Sequence, residues 1–285
     1  VSRARRAYLD LVFAILVASI LAAALHTPAS DPSSKPKVRA ITAFVRLDRA
    51  NYRSEIQDAL KVLRTTKAAI ERSGYEVEGI RITTQPFPEY TRGLSDDQTL
   101  SFFRDYDALA VKEGFDAAIG PAMLKDSDDP HAAELLGKII AQSKILEGSV
   151  SIAGEDGIHW TSIRAAAGVI KYLEANTPHS QGNFNFTAAA WVPSGTPFYP
   201  ASYYTGEGKQ FAVALQSANV VSEVLASTKS PSEAEERLKN VLGAHAARIE
   251  KTAIEISEGS DWKYGGMDLS PAPLKDVSIG RAIEN

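Results

Sequence analysis

The residues of this 285-residue chain best suited to moving protons lie in the run GEDGIHW, which holds Glu155, Asp156 and His159. A carboxylate and an imidazole at such spacing can act as general acid and base on a substrate held between them. The same carboxylates also suit a helix N-terminus, where they complement the macrodipole, so both readings stay open. Without a second histidine the spacing does not make a metal site, and no metal or cofactor is assigned. Arg81, in the β-rich run VEGIRITT, is the natural anchor for an anionic group. Asn183 and Asn185 in NFNFTAAAWV are alternate residues, which on a strand share one face, and buried amides need partners from a ligand or a neighbouring backbone. The segment TPFYPASYY sets Tyr199, Tyr203 and Tyr204 beside Pro197 and Pro200, a stiff aromatic stretch that reads as a pocket wall. Asp268 and Ser270 complete the candidates. GEGKQ lacks the first glycine and the Ser/Thr of a phosphate loop and reads as a turn.

Such candidates need a scaffold that gathers strand ends, because parallel α/β proteins bind ligands beyond the C-terminal ends of their strands. VRAITAFVRL alternates as a strand does, and SEIQ at 54–57 has capping-box spacing ahead of a stripe of Ile56, Leu60, Leu63 and Ile70 that Gly74 stops. The same rhythm recurs at VEGIRITT with a helix from Ser95, at FDAAIGPAM with a helix from Pro130, and at ILEGSVSIA with a helix over 161–175. This alternation predicts an α/β fold with a largely parallel sheet surrounded by helices. In the second half, NFNFTAAAWV and QFAVALQ read as neighbouring strands joined by the tyrosine segment. A long helix capped by Ser230, Pro231 and Glu233 follows, and YGGMDL begins with a Gly-Gly turn. The chain stops at the opening of what reads as another helix, which suggests truncation at the C-terminus.

The formal net charge is −4, with both signs interspersed, so there is no basic stripe for nucleic acid. The chain has no cysteine, which removes disulfides, thiolate ligands, cysteine nucleophiles and thiyl radicals together. Arg3, Arg5 and Arg6 precede an apolar run at 11–25 with alanines at 22–24. That order reads as an export signal peptide, or as an uncleaved anchor attaching residues 7–26 to a membrane. The alternative is a cytoplasmic protein with a misassigned N-terminus, since the chain begins with Val. Residues 1–26 thus form one unit, 27–37 a Pro- and Ser-rich linker, and 38–285 the α/β domain.

The runs SVSIAGEDGIHW, GNFNFTAAAWVPSGTPFYPASYYTGEGKQFAVALQSANVV and YGGMDLSPAP, with SIG after them, resemble a family of uncharacterised prokaryotic proteins, domain-of-unknown-function family 711, often labelled pyruvate-formate-lyase-like. VRAITAFV and the Arg81-Ile82-Thr83 strand fit the same pattern, so the resemblance covers roughly residues 37–285. It implies a barrel-like α/β fold similar to that of glycyl-radical enzymes, with helices outside and a site inside. It does not bring the radical reaction, because that chemistry needs a cysteine, whatever the C-terminal Gly280 suggests.

The expectation is then a non-radical enzyme acting on an unknown small molecule. Arg81 would hold an anion, Asn183 and Asn185 would orient a carbonyl or hydroxyl, and Glu155 or Asp156 with His159 would handle protons. Tyr199, Tyr203, Asp268 and Ser270 would line the ligand. The alternative is a non-catalytic binding protein or a scaffold.

Overall fold

Short runs rich in Val, Ile, Thr and Ala form the strands of one central sheet in the computed structural model, which describes residues 34–271. β1 (Lys37–Phe44), β2 (Ile80–Thr83), β3 (Asp116–Pro121) and β4 (Leu146–Gly154) lie side by side and parallel, and β6 (Phe186–Ala190) continues in parallel beyond β4. On the other side of β1 comes antiparallel β7 (Lys209–Gln216), then β8 (Trp262–Asp268) parallel to β7. The two-residue β5 (Gly157–Ile158) folds back on the end of β4. Helices separate the parallel strands: α1 (Tyr52–Arg72), the single turn α2 (Phe87–Tyr90), α3 (Asp96–Glu113), α4 (Pro130–Gln142) and α5 (Trp160–Asn176). A 3-10 segment (Pro178–Asn185), α6 (Ala218–Ser227) and α7 (Pro231–Glu258) complete the chain. The α/β alternation is as expected. Of the barrel expectation, the structure supports a central sheet flanked by helices; among the described residues no pairing joins β6 to β8.

Local chemistry explains most of the boundaries. Ser95 and Gln98 form the reciprocal capping box of α3, Asp129 caps α4 ahead of Pro130, and Ser230 accepts from the Glu233 amide at α7. The expected box at Ser54 is absent. α1 starts a turn earlier, because Asp48 accepts from the Ala50 amide and the Asn51 side chain, and Glu55 reaches back to the Asp48 amide. Ser54 instead donates to the Asn51 carbonyl.

The sheet has two different faces, as the two-residue period of a strand allows. Val38, Ile41 and Ala43 of β1, Ile82, Ala117, Ile119, Val150, Phe211 and Val213 belong to the main core with the buried residues of α1, α3, α4 and α5. The alternate residues stand on the other face: Thr42, Arg81, Thr83, Asp116, Glu147 and Ser149, mostly small or polar. The connection of residues 191–208 crosses that face. It does so because β6 and β7 are not neighbours, contrary to expectation: β6 pairs with β4, whereas β7 pairs with β1 and β8. YGG is likewise no turn but the interior of β8, where a Cβ on Gly265 would overlap the Gln210 side chain.

Attachment to a membrane, export and the signal-peptide reading require correction. Among the described residues no helix is long and apolar enough to cross a membrane. The longest, α7, has the length but carries charged residues throughout. The segment 7–26 on which those expectations rested, like Gly280, lies outside the described residues.

Gly120, with φ of 75°, sits at the end of β3 where a Cβ would overlap the backbone carbonyl of Gln85. Gly120→Ala is therefore expected to destabilise the fold by about 2 kcal/mol or more, read as a lower urea midpoint with an unchanged slope. An unchanged midpoint would mean that the two strand ends are not held so closely.

Candidate functional site

The strand C-termini gather buried polar side chains. Thr83, Thr84 and Gln85 follow one another at the end of β2, and Thr42, Ser149 and Ser202 lie close by in register or contact. Gln85 donates from Nε2 to the Leu47 carbonyl and accepts the Leu47 amide at Oε1, each at 2.9 Å, so it joins the ends of β1 and β2. Above it opens a cleft of about 640 Å³ lined by Arg46, Arg49, Arg92, Gln85, Glu89 and Tyr90. Arg46 pairs with Glu89 at 2.8 Å, and Arg49 donates to the carbonyls of Tyr90 and Arg92. A second cleft of about 510 Å³ shares Glu89 and Arg92 and extends toward Lys125.

Arg81 and Tyr199 meet on the other side of Thr83. The guanidinium of Arg81 lies 4.4 Å from the centre of the Tyr199 ring, and its side chain is 12% exposed. Tyr199 donates to the Ile82 carbonyl at 2.8 Å and also meets the Thr83 hydroxyl, which in turn contacts Ser202; Ser202 donates to the Thr196 carbonyl. Three hydroxyl protons are available for four contacts, so none is left over for a ligand. Tyr199 is a wall rather than a donor. Burial pushes its phenol well above the ordinary tyrosine range, so it stays neutral. The Tyr199–Pro200 peptide bond is cis. Tyr203 likewise commits its hydroxyl to the Val192 carbonyl, and Tyr204 packs against Phe44.

Two carboxylates that sequence reasoning passed over join Arg81. Asp116, its partner in register on β3, forms an ion pair with Nε at 3.5 Å, without hydrogen-bond geometry. Glu147 on β4 feels the charges of Arg81, Asp116 and Arg39, and desolvation by burial raises its pKa to about 7. The alternation of ILEGSVSIA could have pointed to it: a Glu in the interior of a β-rich run stands on one face with Ser149.

Asp156 and His159 also meet, at 2.9 Å, but away from this cluster, where the turn between β4 and β5 meets the start of α5. His159 is buried, with Nδ1 against the Ser151 carbonyl and Nε2 against the Asp156 carboxylate. Both neighbours accept, so both ring nitrogens must donate. The hydrogen bond to Asp156 raises the histidine above its ordinary value and lowers the aspartate below its own. Glu155 is exposed beside Asp156 in the β4–β5 turn. The amides of α5 are capped by Asp126, which accepts from Thr161 and Ser162.

Asn183 and Asn185 do not share a strand face, because the chain there is a 3-10 segment and β6 begins at Phe186. Asn185 donates to the Leu146 carbonyl at the start of β4, and Asn183 donates at 3.4 Å to Ile170. Asp268 accepts from the Ser270 amide at 2.8 Å in a local turn. It lies in register with Ala214, which pairs with Ala40 near the start of β1, so it sits at the other end of the sheet from Thr83. Among the described residues no group of three or more His, Asp or Glu side chains could hold a metal ion.

The Asp156–His159 pair has a definite pH signature. A raised histidine contributes stability fully below its unfolded value and loses it as pH rises through the folded one. The lowered aspartate contributes above its unfolded value and loses it as pH falls through the folded one. Their joint contribution is expected to be greatest between about pH 4 and 6.5, and His159→Gln should flatten the alkaline side of the profile. Urea midpoints from about pH 4 to well above 6.5 check this; equal slopes on the alkaline side in both proteins would refute the pairing.

Comparison with known proteins gives a family and no activity. No curated protein matches the chain. The family described as Uncharacterised ACR (DUF711) matches residues 32–285, and its description contains no pyruvate-formate-lyase link. Since that match spans the whole sheet and every helix described above, the chain belongs to the DUF711 family.

Proposed function

We propose that the chain is a non-radical enzyme acting on a small oxygen-rich molecule, with its site on the polar side of the sheet beneath the 191–208 connection. The observation that carries this reading is the convergence of Arg81, Asp116, Glu147 and Tyr199 on one sheet face, in place of apolar packing. A cation largely withdrawn from water, stacked on a neutral ring, anchors a carboxylate or a polarised carbonyl. Five parallel strands with antiparallel β7 beside β1 support taking this face as the inside of a barrel-like wall. In this reading Asp156 and His159 clamp the β4–β5 turn to α5, and Asn185 holds the 3-10 segment to β4, while the arginine-lined cleft at the ends of β1 and β2 serves as the approach for anions.

Binding without turnover is the second reading. It is favoured by the closure of the Asp156–His159 pair on itself and by the committed tyrosine hydroxyls, which leave few groups free for catalysis.

Thermal melting of the full chain with lactate, malate, glycerol, glucose or inorganic phosphate tests the site. A ligand at about one hundred times its dissociation constant adds about 2.7 kcal/mol of stability. A hydroxy acid is expected to raise Tm in the wild type, and the shift should shrink in Arg81→Lys, which keeps the charge but loses the guanidinium fork. A cooperatively melting chain that no oxygen-rich compound stabilises would overturn the reading. Proton NMR of the stabilising compound during incubation separates turnover from binding.

A further inference from the structure

Three polar atoms on one face of the sheet have no hydrogen-bond partner: Thr42 Oγ1 on β1, Arg81 Nε on β2, which has only its 3.5 Å ion pair with Asp116, and Glu147 Oε2 on β4. Thr42 and Arg81 are partners in register, and Arg81 in turn partners Asp116 on β3. Glu147 partners Ala118, two residues along the same face from Asp116. Thr42 is fully buried, and each of the three atoms is shut off from solvent. A buried polar atom left unpaired costs about 1–3 kcal/mol, so three on one face of the sheet, with only β3 between those of β2 and β4, leave a cost that a guest on that face can offset.

We propose that these atoms form the seat of a small hydroxy- or oxo-monocarboxylate, and that Glu147 carries the proton that lets the anion in. This rests on the reading of the polar face as the site and names its ligand class and its control. Arg81 Nε–H and the Thr42 hydroxyl supply donors for one or two ligand oxygens. Glu147, in its protonated form, supplies a third donor at Oε2.

The charge count sets the ligand's charge. The groups facing Glu147 are Arg81 from β2, Asp116 from β3, Arg39 from β1 and Tyr199 from the crossing connection, the last neutral. Arg39 is exposed and paired with Glu78 at 3.0 Å, which leaves Arg81 and Asp116 as the near charges. With Glu147 protonated, Arg81 and Asp116 balance, and one negative charge can be seated against the guanidinium. With Glu147 ionised the seat already carries an excess negative charge, and a monoanion is repelled. A neutral polyol would feel neither effect. Asp116 is 48% exposed, so its ion pair with Arg81 reaches the surface on that side.

The experiment begins without ligand. Carbon-13 NMR of glutamate carboxyls should show a resonance titrating near pH 7 in the wild-type chain that is missing in Glu147→Gln. If every glutamate titrates in the ordinary carboxylate range, the proton-carrying role is overturned, while anion binding at Arg81 stands. Calorimetric titration with lactate at one pH in buffers of different ionisation enthalpy then reads proton uptake. The expected result is uptake approaching one proton per lactate above pH 7, with affinity falling by up to about tenfold per pH unit. In Glu147→Gln binding should persist without uptake and without the pH dependence. Lactate binding with no uptake in the wild type would overturn the proton-carrying role of Glu147, and glycerol binding where lactate does not would overturn the ligand class; either leaves the polar-face site in place. If no compound binds and the three atoms are served by water alone, this proposal and the reading beneath it both fail.

Discussion

The contact between the Arg81 guanidinium and the Tyr199 ring holds together two things that the topology would otherwise leave apart: the sheet and the connection that crosses it. β6 and β7 lie on opposite sides of the four parallel strands, so the intervening chain has to pass over the ends of β1 to β4. Without anchorage it would be a long exposed loop of high conformational entropy. It is anchored at three points along its path: Tyr199 to β2, Ser202 to Thr83, and the Tyr204 amide to the Thr84 carbonyl at 3.0 Å. All three fall at the end of β2, which is therefore the fixed point for the polar face on one side and the Gln85 junction on the other. Thr83 and Thr84 show how the strand period divides the work, since Thr83 meets Tyr199 and Thr84 meets Tyr90, which packs with the helices.

Much of this architecture was legible in the chain. Strand and helix periods, the Ser95 box, Pro130 and Ser230 are local signals, and a local signal survives whatever the tertiary context. The errors are non-local. Nothing in NFNFTAAAWV or QFAVALQ states that one strand belongs beside β4 and the other beside β1, and a long connection is as compatible with a crossing as with a hairpin. Arg81 and Tyr199 were legible as residue types, and the fold brings them together across 117 intervening positions, the spacing between Tyr199 and its acceptor Ile82. Glu155, Asp156 and His159 drew notice because they are adjacent in sequence, yet adjacency of that kind is also what a hairpin turn feeding a helix requires. Glu147 drew none, because a lone glutamate in a strand reads as a solvated position until the opposite face is known to be covered.

His159 and Glu147 illustrate what separates a structural ionisable group from one held in reserve. Each is displaced from its ordinary titration range, but by opposite means. His159 is displaced by partners: two acceptors take its two protons, and the charged form is the satisfied one. Glu147 is displaced mainly by the loss of water, with Oε2 left unpartnered, and its neutral form is only the less unfavourable of two. A protein whose net stability is about 5–15 kcal/mol does not gain by keeping such a group on the same face as an arginine nitrogen and a threonine hydroxyl that lack hydrogen bonds when an apolar residue would fit a sheet face better. Local rules broken together on one face, with the contacts inside the chain leaving three polar atoms without hydrogen bonds, point to compensation from outside it. The positions of Thr42, Arg81 and Glu147, rather than any motif, distinguish this face of the sheet from the Asp156–His159 pair, where every polar atom of the imidazole is already served.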